Sequence, residues 1–393
     1  MGNVDARKRL AAIACLVAAF AGIACGDGDG APAESELSAP SGWTRLPSPA
    51  RVPFGTTLLA AGDRLLLAGG CAHDYRDDGG CGRSRHAYSF APGEAKWREL
   101  PRPPRGVPSA GVWTGEEAIF LDLSGRRPAT GMALDPDAGT WSEIPDGPVS
   151  AANAEAVWAG DRVVVWGGRG RNGSGEAKGA TFDPETGEWS RIAEAPVSLN
   201  LFDLVWTGSE VIAFGSRLDR RNWSGTKTAV GAAYDPATDA WRRLPPSDLN
   251  PQATTASWFD GALIAYGYDG RSQAYLPDRD RWQPKQKMPL DFSECYPDSI
   301  ASETSLIAFY CGQIVTLDSA DGPWKPLKGG LTERIHHNGG IQIPVWRFSL
   351  LATLGDSTYF LAEGVTFGGG GTARYNFPES PHSFWSLGAS EAP

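Results

Sequence analysis

The side chains best suited to chemistry are the adjacent pair His336 and His337 and the arginines Arg169, Arg171, Arg217, Arg220 and Arg221, with Trp223 beside the last two. Imidazole titrates near neutral pH and serves as acid, base or metal ligand. Neighbouring residues in an extended segment point their side chains apart, which argues against one shared metal. Glu333 and Asp74 are the carboxylates a fold could bring to these rings as catalytic partners. The plainer alternative is a solvated loop. Arg169 and Arg171 stand with Asn172; Arg217, Arg220 and Arg221 stand with Asn222 and Trp223. Planar guanidinium donors beside an aromatic face suit a carboxylated sugar or an acidic peptide. The competing reading is a solvated, partly self-paired loop, since Asp219 is adjacent. His73 with Asp74, Asp77 and Asp78 reads as a cation site or, more simply, as a polar loop tip. The signatures G-x-S-x-G and H-E-x-x-H and a phosphate-cradling P-loop do not occur, and the sequence calls for neither a metal nor a cofactor.

Export frames these residues. Arg7, Lys8 and Arg9 precede an apolar run from Leu10 to Ala24, too short for a spanning helix and fitting a signal peptide over 1–24. The next residue is Cys25, and GIAC resembles the bacterial lipobox, with Gly22 standing where leucine is usual; the resemblance implies lipid attachment at Cys25. Without lipidation the protein is simply secreted. Residues 25–42 contain almost nothing apolar and read as a flexible tether. Four further cysteines remain, Cys71, Cys81, Cys295 and Cys311. Cys71 and Cys81 bracket one loop, and Cys295 and Cys311 lie symmetrically about Glu303, so two local disulfides are expected; without C-x-x-C spacing they do not read as a zinc site. Removing the signal takes three basic residues and one acidic residue from totals of 36 and 46, leaving a net charge near −12. An acidic exported chain without a basic stripe is a poor nucleic-acid binder.

The elements that carry these loops repeat. Trp97, Trp141, Trp189, Trp241, Trp282 and Trp324 recur at spacings of 41 to 52. Five residues before the first five of them stand Pro92, Pro136, Pro184, Pro236 and Pro277, and Asp135, Asp183 and Asp235 precede the middle three prolines. Gly139, Gly187, Asp239, Asp280 and Gly322 come two before the tryptophan, where a turn closes through positive φ. A second series, Trp113, Trp158, Trp206 and Trp258, follows 16 or 17 residues after the first. Short β-branched runs such as Val163 to Trp166, ended by Gly167 and Gly168, complete a four-stranded unit.

The Gly-Gly pairs Gly69-Gly70 and Gly167-Gly168, the Asp-Pro turns and the W-x-x-[LI] fourth strands resemble those of kelch and galactose-oxidase-like propellers over about residues 43 to 387. Seven hairpins predict an all-β propeller of seven four-stranded antiparallel blades, with six or eight as alternatives, followed by a disordered tail over 388–393. Two segments compete to close the ring, Trp43 to Leu46 and Phe384 to Leu387. The long connections, Cys71 to Arg85, Arg169 to Lys178, Ser216 to Val230 and Lys328 to Ile343, all belong to one face of such a ring, the usual binding side of a repeat array. The chain therefore reads as an envelope-anchored monomeric propeller that binds an extracellular glycan or protein there. The resemblance also implies an alternative, a sugar oxidase, epimerase or mutarotase, although none of those families' functional residues can be placed on this sequence.

Overall fold

A motif that leaves one apolar face open in every copy must bury that face against its neighbours. The computed structural model describes residues 43–50, 52–71, 83–108, 110–123, 128–149, 152, 154–168, 175–199, 201–219, 224–225, 229–250, 255–267, 269–290, 298–310, 313–327, 334–336, 342–344, 350–362 and 383–387. They build seven four-stranded antiparallel blades, the fifth carrying an extra short strand, Gln286–Lys287. From the channel outward, blade 3 runs Ala154–Trp158, Val163–Gly167, Gly179–Asp183 and Glu188–Arg191. The innermost strands touch in cyclic order and that of blade 7, Leu350–Leu354, meets that of blade 1, Phe54–Ala61. The molecule is a closed seven-bladed propeller.

Both contenders for ring closure belong to blade 7. Ser383–Leu387 is its third strand and Trp43–Leu46 its fourth, with Trp43 paired to Leu387 and Leu46 to Phe384. The reason lies in the repeat: W-x-x-L marks a fourth strand, and Trp43 begins one. Joining the two ends of the chain in one blade removes the open edges an unclosed array would expose.

Burial grades across each blade. Second strands such as Val163–Gly167 and Val211–Ser216 are wholly buried, while fourth strands such as Glu188–Arg191 face solvent. Innermost strands such as Ala154–Trp158 are mostly half-buried, because their inner edge borders a central channel. Each fully buried Val, Leu or Phe on a second strand contributes about 1.5–3 kcal/mol.

The tryptophan series makes a girdle. Trp97 Nε1 donates to Pro47 O (2.9 Å), Trp141 to Pro101 O (2.8 Å), Trp189 to Pro145 O (2.8 Å), Trp241 to Ala193 O (2.9 Å) and Trp282 to Pro245 O (2.8 Å). Each acceptor lies four residues past the fourth-strand tryptophan of the preceding blade, so one motif position bonds to the next copy around the ring. Trp324 departs from the series and donates to Ser272 Oγ (2.8 Å). The rings also pack on the third strand of their own blade, as Trp189 on Phe182 at 5.1 Å and Trp241 on Tyr234 at 5.1 Å between centroids.

The turn chemistry is as the sequence implies. Asp135 Oδ1 accepts from the N–H of Asp137 and Ala138, and Asp183 Oδ1 from Glu185 and Thr186. Gly139, Gly187, Asp239 and Asp280 adopt positive φ; Gly322, expected to join them, does not, because the longer 318–324 turn closes instead through the Gly322 N–H to Ser319 O bond (3.0 Å). Gly167 (φ +83°) has a second constraint: a Cβ there would lie 2.4 Å from the Phe202 ring of the next blade. In blade 6 the hairpin Asp298–Ala301 to Leu306–Tyr310 pairs Ala301 with Leu306 and turns about the Glu303–Thr304 bond. That centre lies half a residue from the symmetry expected of Cys295 and Cys311, so this register lends their pairing no support. Cys81, Cys295 and Cys311 fall outside the described residues, as do 1–42, including Cys25, and 388–393; Cys71 ends the strand Arg64–Cys71.

Candidate functional site

Strand polarity decides which connections share a face. In every blade the first-to-second and third-to-fourth turns leave from one end, the second-to-third loops and inter-blade linkers from the other. Turns at the first end are tight: 62–63, 159–162, 207–210, 260–261 and 355–356 between first and second strands, and 136–139, 184–187 and 236–239 between third and fourth. The longer exceptions there, 91–97 and 318–324, are shorter than the long connections at the other end, 72–86, 217–229, 327–349 and 363–382, although two second-to-third loops of that end, 267–270 in blade 5 and 311–312 in blade 6, are also short. The ring thus has a plain face and a loop-bearing face.

All the arginine and histidine candidates fall in connections of the loop-bearing face. Arg217 is exposed and directly follows the strand Val211–Ser216. Beside it is Leu201, 42% exposed and paired across the sheet with Ser216, the exposed large apolar residue among the described ones. His336 ends the short strand Arg334–His336, paired to Gln342–Pro344 in the linker to blade 7; only its backbone is described. Arg169, Arg171, Arg220, Arg221, Trp223, His337, His73, Asp74, Asp77, Asp78 and Glu333 lie outside the described residues. Two arginines the sequence reading passed over are stitches on this face: Arg83 binds Asp122 of blade 2, and Arg105 Nη2 donates to Gly131 O at 2.7 Å.

The channel holds a feature that sequence reasoning missed. Glu155, Asp203, Thr255 and Asp298 occupy one register position on the innermost strands of blades 3 to 6, each opposite an aromatic residue of the second strand: Trp166, Phe214, Tyr266 and Phe309. Two of the carboxylates reach across blades. Glu155 Oε2 accepts from Leu204 N (2.9 Å) and Asp203 Oδ2 from Ala256 N (2.8 Å), in each case the residue after the equivalent position of the next blade. These N–H groups lie on the inner edge, where no further strand can pair them. Asp298 Oδ1 instead accepts from Ser299 N (2.8 Å), and Ser257 and Ser299 hydroxyls meet at 2.7 Å.

Protein mass around the channel penalises the charged forms. Burial, then the neighbouring Asp298 charge, pushes Asp203 up to about 7 against the opposing Ala256 N–H bond. Burial and then the Asp203 charge push Glu155 well above the carboxylate range, and burial raises Asp298. Asp298 nevertheless is exposed and Glu155 and Asp203 are half-buried; they border the open channel rather than a closed core. The signal was available in sequence, as an acid three residues before Trp158 and Trp206 inside an apolar run. Among the described residues no group of three or more His, Cys, Asp or Glu is arranged to hold a metal, and no helix is long and apolar enough to cross a membrane.

Comparison with protein-family models finds no match, and comparison with curated proteins finds none either. The tertiary structure and the residues themselves therefore carry the functional argument.

Proposed function

We propose that this is an exported, lipid-anchored, kelch-like propeller that works as a binding module, taking a carboxylate-bearing glycan or protein segment on its loop-bearing face. One observation carries the reading: the ring keeps almost all of its extra chain at one end, while the other end is cut back to turns. A closed ring of repeats is stable without such additions, and loops set on a rigid scaffold are where repeat proteins place recognition. Arg217 and the half-exposed Leu201 give that face a cationic and apolar corner at blade 4, and the arginines of the neighbouring connections extend the cationic character in sequence. A fixed guanidinium fork pairs with carboxylate in two parallel bonds.

The test is a binding screen of the mature protein against uronic- and sialic-acid glycans in one arm and Asp/Glu-rich peptides in the other. Retention in either arm that falls at least tenfold in an Arg217→Ala/Arg220→Ala/Arg221→Ala variant, with unchanged thermal unfolding, supports the reading and names the source of the carboxylate. No retention in either arm, or retention indifferent to the arginines, overturns it. Turnover of a sugar that is lost in a His336→Ala/His337→Ala variant would instead favour the enzymatic alternative.

A further inference from the structure

The chain joins the ring and leaves it on the plain face. Trp43 opens the fourth strand of blade 7 and Leu387 closes its third, and these two residues are cross-strand partners. The end at which a third strand finishes and a fourth begins is the end of the third-to-fourth turns. Any segment attached before Trp43 therefore emerges opposite the long connections, and at the rim, since Trp43–Leu46 is the outermost strand of its blade. Charge divides the same way. The turns of the plain face present Asp63, Asp137, Asp161, Glu185, Asp278 and Asp321, all exposed or on exposed turn residues.

We infer that an anchor at Cys25 holds the plain face toward the membrane and turns the loop-bearing face away from it, so that the carboxylate-bearing partner approaches from the side opposite the anchoring bilayer. This rests on the lipid-anchor part of the proposed function. Residues 26–42 are rich in Gly, Asp, Ala, Pro and Ser, and a chain of that length and composition has a root-mean-square reach on the order of 20–25 Å. With the plain face down, that reach is free to act as a stand-off. Turned over, the tether would first have to run past the full thickness of the ring, about 17–20 Å of strand before any loop is counted, which uses most of that root-mean-square reach and requires the chain to stretch at an entropic cost to clear the loops. Two electrostatic forces oppose this arrangement, repulsion of the acidic plain face and attraction of the cationic loops by an anionic leaflet. Both decay over about 8 Å at physiological ionic strength, well inside the stand-off.

The experiment places a donor dye through azidophenylalanine at Lys178, on the loop-bearing side of the strand Gly179–Asp183, or at Glu185, in the turn at its other end. Energy transfer is measured to acceptor-labelled lipids in vesicles of phosphatidylethanolamine and phosphatidylglycerol, and again in phosphatidylcholine alone. The protein is loaded once as recovered from membranes, and once as the mature chain carrying hexahistidine at its start on nickel-chelating vesicles. Higher transfer from position 185 than from 178 in both vesicle types is expected. Equal or reversed transfer on the nickel-chelating vesicles overturns the orientation, whatever the state of Cys25. Failure of the membrane-recovered protein to bind plain vesicles, with an unmodified Cys25 by mass spectrometry, overturns the anchor itself while the nickel arm still decides the geometry.

Discussion

At the scale of single residues, most of the repeat's identity is turn and girdle chemistry, and its consequences are measurable. Trp241→Phe keeps the ring on Tyr234 but deletes the bond to Ala193 O. A net cost of about 1 kcal/mol is expected, seen as a lower midpoint in chemical unfolding with unchanged slope. Gly167→Ala meets two penalties, positive φ and the Phe202 ring, and is expected to cost roughly 2–5 kcal/mol; unfolding within 1 kcal/mol of the parent would contradict the geometry. Asp203 makes a prediction about pH. Its folded-state pKa lies above its unfolded value, so its contribution is most favourable below about 4 and is lost as pH rises toward 7. Asp203→Asn keeps an acceptor for Ala256 N and removes the titration. The variant's melting temperature relative to the parent is expected to increase from pH 5 to about pH 7 and to level off above it; a difference independent of pH would sink the assignment.

At the scale of elements, the blade was legible before the structure because its punctuation is local. Asp135 and Asp183 cap their own turns and Gly139 and Gly187 close them, interactions within five residues that any fold containing the turn would keep. The closing blade was not legible to the same degree. Trp43–Leu46 and Ser383–Leu387 lie at opposite ends of the sequence; the W-x-x-L of Trp43 marks a fourth strand, but nothing local in Ser383–Leu387 says that it supplies the third strand paired to Ser357–Ala362. Only the ring brings them together, and it uses both. Removing residues up to Pro47 takes away the fourth strand of blade 7 and the acceptor of Trp97. The expected result is loss of a single cooperative unfolding transition, followed by circular dichroism and by size-exclusion at rising denaturant. A truncated chain that unfolds as sharply as the parent would mean the ring does not depend on that closure.

At the scale of the whole molecule, closure assigns every connection to one of two faces and every first strand to the channel. That sorting is what puts Arg217 and His336 on connections of the same end of the ring. It also collects Glu155, Asp203 and Asp298, separated by 48 and 95 residues in pairs, into one arc with Thr255. The carboxylates were visible as polar interruptions of apolar runs, but the sequence could not say that three runs share a channel, nor that one blade's acid would bond to the next blade's backbone.

The sequence by itself determined the repeat, the turn chemistry, the common face of the long connections and the direction in which the tryptophans punctuate each unit, and it pointed to seven blades with six or eight as alternatives, because each depends on the repeat's local spacing. Tertiary structure alone decided how the strands close the ring and which acids face the channel. Those follow from the cyclic contact of blades far apart in the chain, and a linear spacing rule carries no information about where a circle is joined.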